Sequence, residues 1–142
     1  MTRLIAEKKN YKDGFNKHLF AYTKWNHTSC KYSKLLLLCY CVECGLKYLF
    51  MDDNRLFSTR NLSKVHEQVL SSHSFEKLVQ ECRISGAYRF QHIKTIHDDT
   101  VNANNFHQMC RYSIPYVDAD QKKYETYEEQ LLRLALYLKE RI

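Results

Sequence analysis

Cys39, Cys41 and Cys44 put three thiols into six positions of the stretch LLLLCYCVECGLKYLF, residues 35–50, and closely spaced thiolates are natural zinc ligands. A zinc knuckle, however, needs its paired thiolates at the mouth of a tight turn, with Gly or polar residues nearby, so that four ligands converge tetrahedrally. No such turn is present, so these cysteines read as small apolar packing groups and no metal is expected on them. A second set of donors is His97, Asp98 and Asp99, with His73 upstream and Asp118 or Asp120 downstream. Imidazole and carboxylates in that order could hold a divalent ion that activates water, but Asp-Asp after His is also ordinary turn chemistry. His92 and His97 are five apart and fall on different faces of any helix, which argues against joint ligation. Cys30, Cys82 and Cys110 have no neighbouring His or Asp pattern that would make a nucleophile. Arg111 and Tyr112 could hold an anionic ligand; the plainer alternative is an arginine paired with an acidic neighbour such as Glu43.

These side chains need a scaffold, and the cysteine stretch supplies its centre. From Thr28 or Ser29, either able to cap, to Met51 the only breaker is Gly45, while Leu35, Leu38, Val42, Leu46 and Leu49 recur at helical spacing. Leu37, Cys41, Cys44 and Tyr48 line an adjoining stripe. The most polar side is left to Leu36, Tyr40, Glu43 and Lys47, with Glu43 and Lys47 an i, i+4 pair in the favourable order. A helix apolar over most of its circumference belongs at the centre of a bundle.

Upstream, Phe15, Leu19, Tyr22 and Trp25 mark an amphipathic helix over about 12–26, antiparallel to the central one across a short linker. Downstream, LSKVHEQVL and SFEKLVQEC are short helices, the second starting at Ser72 or Ser74 and closed by Gly86. Their buried faces are Leu62, Val65 and Val69, then Phe75, Leu78, Val79 and Cys82. Residues 87–117 show neither a 3.6 nor a 2.0 period and are unassigned apart from a short helix around 105–111 before Pro115. Thr126 and Glu129 form a capping-box pattern, and Leu131, Leu134, Ala135, Leu138 and Ile142 give the last helix its stripe.

The chain of 142 residues suits a single domain, 1–142, with one core. Three Gly and one Pro are too few for the many tight hairpins of a sandwich or barrel, so an all-α bundle of about four to six helices is expected. A formal charge of +6 suits an anionic partner. The basic residues are spread out, and Lys8, Lys9, Lys12 and Lys17 read first as a solvated face. The N-terminal stretch has no apolar core of signal-peptide length and residues 35–50 are too short to span a membrane, so a cytoplasmic location with reduced thiols is expected.

With these elements in order, the chain resembles the HEPN superfamily, the helical domains named for higher eukaryotes and prokaryotes nucleotide-binding. CYCVECGLKYLF is similar to that family's second helix, an acidic residue followed by Leu-Lys and further apolar positions: Glu43, Leu46, Lys47, Leu49 and Phe50. His73 in SHSFEKLV resembles its His-apolar-x-x-Leu segment, and Arg111-Tyr112 an Arg-Tyr pair before its last helix, EEQLLRLALYLKERI here. The resemblance, over about residues 12–142, implies an antiparallel, dimerising bundle, a homodimer in this case. It also implies a prokaryotic defence or toxin–antitoxin setting, RNA or nucleotide as ligand, a cognate antitoxin or defence protein as possible partner, and no cofactor.

Many members are metal-independent ribonucleases whose signature is Arg, a polar residue, a few further residues and His. RNLSKVH meets that spacing with Arg60, Asn61 and His66. In such a set imidazole shuttles the proton for attack of the ribose 2′-hydroxyl, and guanidinium neutralises the phosphorane. Active members carry the signature just before the final helix, where this chain has FHQMCRYSIPY with His107 and Arg111 in reversed order. The resemblance therefore implies first a binding module without hydrolytic activity, at His73, His107, Arg111 and Tyr112. Its alternative is an endoribonuclease using Arg60, Asn61 and His66, and an HD-type metal phosphohydrolase built on His97-Asp98 is the third class.

Overall fold

The computed structural model describes residues 4–26 and 29–142. Among them are six α-helices and one two-stranded sheet: α1 (Lys8–Thr23), α2 (Lys31–Asp53), α3 (Lys64–Leu70), α4 (Phe75–Glu81), β1 (Ile93–Lys94), β2 (Thr100–Val101), α5 (Phe106–Arg111) and α6 (Gln121–Arg141). The chain is thus mainly helical, as its Gly and Pro scarcity implies. The central helix α2 buries Leu35, Leu38, Cys39, Cys41, Val42, Leu46 and Met51, each at most 1% exposed. All six cysteines are free, and among the described residues no group of three or more His, Cys, Asp or Glu side chains is placed to hold a metal ion. Burial pushes the Cys41 thiol up to about 12 and the Cys44 thiol up to about 11, which suits packing groups rather than thiolate ligands.

α1 begins with a capping box in which Glu7 and Asn10 bond each other's backbone N–H, and it buries Phe15, Leu19 and Tyr22 against α2. Contacts of Lys8 with Asp52, Gly14 with Cys44 and His18 with Tyr40 show the two helices running antiparallel. α6 runs the other way: Tyr124 meets Tyr32 near the start of α2 and Leu138 meets Gly45 further along, so α2 and α6 are parallel. The expectation of an antiparallel bundle therefore holds for α1 against α2 and α6, but not for the α2–α6 pair. The segment between them, residues 54–120, carries the chain back to the start of α2 before α6 begins.

Gly45 is where all three long helices meet. A Cβ there would stand 2.7 Å from Phe15 Cδ1 and 3.0 Å from Leu138 Cδ1, so only hydrogen fits. Ser63 caps α3 by accepting from His66 N, and Ser74 caps α4 by accepting from Lys77 N.

Several expected boundaries move. Thr28 lies outside the described residues, and Ser29 is not the cap of α2, whose N-cap is Cys30 without a side-chain bond. Thr126 lies inside α6, which starts at Gln121 after a single 3-10 turn, Asp118–Asp120. α4 ends at Glu81 with Cys82 as its C-cap, leaving Gly86, with φ +127°, to turn the loop beyond it. Val65, expected on the buried face of α3, is 68% exposed, because this seven-residue helix buries only its end, Val69 and Leu70. The unassigned stretch 87–117 contains the β1–β2 hairpin, with Ile93 opposite Val101. His97, Asp98 and Asp99 form its turn, where Asp98 adopts φ +66° and pairs with Lys94.

Candidate functional site

The polar stripe of α2 is not a solvated face. Tyr40, Glu43 and Lys47 are overlaid by His73 from the segment before α4 and by His107 and Arg111 from α5, with His18 of α1 at the edge. Lys47 is only 5% exposed, because its long stem packs into the core while its ammonium reaches back one turn to Glu43 Oε2 at 3.4 Å. Glu43 Oε1 takes a second bond from His73 Nδ1 at 2.8 Å. A carboxylate only accepts, so His73 carries a proton on Nδ1, and among the described residues nothing bonds its Nε2. Burial works to raise the Glu43 pKa, but the His73 hydrogen bond and the Lys47 charge outweigh it and hold the carboxyl below its usual range.

His107 lies on the other side of His73, with ring centroids 4.5 Å apart. It is 5% exposed, and its buried Nδ1 has no hydrogen-bond partner among the described residues. Burial lowers its pKa, and the neighbouring His73, Arg111 and Lys47 work in the same direction against the pull of Glu43, so His107 is neutral at neutral pH. One turn further along, Arg111 donates to the Tyr40 hydroxyl at 2.9 Å and also interacts with the Tyr112 phenol. The expected pairing of Arg111 with Glu43 is replaced by these phenols, since Glu43 is already engaged by His73 and Lys47. Among the described residues no carboxylate lies within 4 Å of the Arg111 guanidinium. Tyr112 is 64% exposed beside it.

The four residues assigned to nucleotide or RNA binding therefore lie together at one edge, and the structure adds Glu43, Lys47, Tyr40 and His18 to them. Glu43 and Lys47 were visible as a helical pair. The signal for Tyr40 was its place on the same stripe; His18 carried none. Ser74 caps α4, and His73 before it is oriented by Glu43.

The second set is elsewhere. Arg60 and Asn61 sit in an exposed turn, Asn61 at φ +59°, and Arg60 N donates to Ser58 Oγ. His66 packs edge-on against Phe50, ring centroids 5.6 Å apart. Phe50 is seven positions beyond Glu43, about 10 Å along α2. Nothing among the described contacts joins the Arg60 and His66 side chains. The donors of the metal alternative are engaged by other groups: His73 by Glu43, and Asp98 and Asp120 by Lys94, through its ammonium and its backbone N–H at 2.8 Å respectively. Asp118 is exposed on its 3-10 turn.

No family model, no curated protein and no solved structure matches the chain. The geometry itself is what bears on function. An uncompensated guanidinium, an imidazole with a free Nε2 and an exposed phenol can bind a phosphate and the ring attached to it. Glu43, paired with Lys47, fixes the imidazole, and Tyr40 holds the guanidinium.

Proposed function

We propose that this chain is a HEPN-like, RNA- or nucleotide-associated module of a prokaryotic defence or toxin–antitoxin system, working as a homodimer and binding its ligand without cleaving it. What supports the reading is Arg111: a guanidinium held by phenols rather than by a carboxylate, one turn from the His73–His107 pair, keeps its charge for an anion. Arg111 takes the phosphate, His73 Nε2 bonds the ligand beside it, and Tyr112 offers a face for a base. The test is fluorescence anisotropy of a labelled single-stranded oligoribonucleotide in EDTA, with the products run on a gel. Intact RNA that binds, and binds at least about tenfold more weakly to Arg111→Ala or His73→Ala, is the expected result. Cleavage that persists in EDTA and disappears in His66→Ala would instead establish the endoribonuclease built on Arg60, Asn61 and His66.

A further inference from the structure

At the opposite end of the α2 polar stripe from Lys47, a second cluster has no part in that reading. The Lys31 ammonium stands 5.3 Å from the ring centroid of Tyr32, 4.6 Å from that of Tyr116 and 5.4 Å from that of Tyr124, and donates to the Tyr116 hydroxyl at 2.8 Å. The rings form a corner. Tyr116 and Tyr124 stack at 4.7 Å and 25°, while Tyr32 stands at 74° and 79° to them. The corner is held from outside: the Tyr32 phenol is bonded by the Tyr116 backbone, Thr95 bridges to Tyr116, and Tyr124 is 5% exposed on the first turn of α6.

Lys31 is an odd residue to find there for a purely structural purpose. It is the first residue of a 23-residue helix, where the helix dipole repels a cation. Among the described residues it has no carboxylate within 4 Å. The Tyr116 hydroxyl bond first, then the surrounding rings and a more distant Glu125, are what hold it. Its side chain is exposed and its stem flexible, so the ammonium can leave without disturbing the rings.

We propose that the Tyr32–Tyr116–Tyr124 corner is a recognition site for a methylated ammonium group, and that Lys31 is its tethered internal occupant. A compact, nearly spherical cation fills a corner between perpendicular rings, whereas a planar guanidinium would lie on one face only. A quaternary ammonium also surrenders less hydration than a primary one and needs no acceptor, so it competes for this site despite the tether.

The experiment follows the aromatic proton shifts of the full chain during titration with tetramethylammonium, choline and Nε-trimethyl-lysine. The uncharged isostere 3,3-dimethylbutanol serves as control. Lys31→Ala is expected to bind tetramethylammonium at least about tenfold more tightly than the wild type, with shifts at Tyr32, Tyr116 and Tyr124. Adding Tyr116→Ala should remove the binding. Lys31→Gln, which keeps the stem and a polar tip, should behave like Lys31→Ala and covers the case in which that variant fails to fold. Preference for choline or for trimethyl-lysine tells a headgroup source from a modified side chain, and either supports the site. Equal binding of the uncharged isostere, or no saturable shift in either opened variant, would overturn it.

Discussion

Glu43→Gln is the sharpest perturbation of the buried polar stripe. The amide keeps the shape of the carboxyl but takes the negative charge away from Lys47, which is 5% exposed. Removing one partner of a buried pair costs roughly 3–5 kcal/mol. The Glu43 side chain retains 17% exposure and His73 half of its own, so the low end, about 3 kcal/mol, is expected. For a domain of this size that corresponds to a fall in melting temperature of about 10 °C. Lys47→Met in the same chain removes the buried ammonium as well, and replacing both partners should restore stability to within about 1 kcal/mol of the wild type. Urea unfolding of the four proteins at neutral pH completes a double-mutant cycle. The pH dependence is fixed in sign: the folded Glu43 pKa is depressed, so its contribution is full above the ordinary glutamate value of 4.5 and is lost as pH falls through the lower, folded value. A Glu43→Gln protein within about 0.5 kcal/mol of wild type would refute the reasoning, because that is what an exposed, unpaired glutamate would give.

His107, also depressed, should contribute stability that is full above 6.5 and lost below it, so unfolding midpoints of the wild type should fall with acid in that window while those of His107→Phe stay flatter. Gly45→Ala gains about 1 kcal/mol of helix propensity but forces a methyl to 2.7 Å from Phe15; a net loss of roughly 1–2 kcal/mol in denaturant unfolding is expected, and a gain would contradict the packing of α1 and α6 on α2. With a disulfide reagent at pH 8, Cys30 should react at once, whereas Cys41 and Cys82, both pushed up to about 12 by burial, should react only on unfolding; rapid release of several thiols from the native protein would contradict a buried α2.

α2 was legible because its apolar residues recur around almost the whole circumference, a pattern only a central helix explains. Its polar stripe was legible too, but not its burial: whether Glu43 and Lys47 face water depends on His73 and His107, which lie far away in sequence. The 87–117 stretch resisted reading because β1 and β2 have two residues each, too short for any period, and α5 has six. The start of α6 was missed since its first turn is led by a 3-10 turn rather than by a Ser or Thr cap, and Thr126 offered a false cap within it. The direction of α6 could not be inferred locally, as it follows from how residues 54–120 return along α2. Arg60, Asn61 and His66 satisfy a spacing along the chain, yet the turn at Asn61 and the packing of His66 on Phe50 take them to a different part of α2 from His73.

The most direct measurement is imidazole-resolved NMR of His66, His73 and His107 as a short single-stranded oligoribonucleotide is added. Ligand entry at the α2 stripe predicts large shifts at His73 and His107, with His66 unmoved and the effect abolished in Arg111→Ala. Shifts confined to His66, or none at all on the three rings at saturating oligonucleotide, would contradict it.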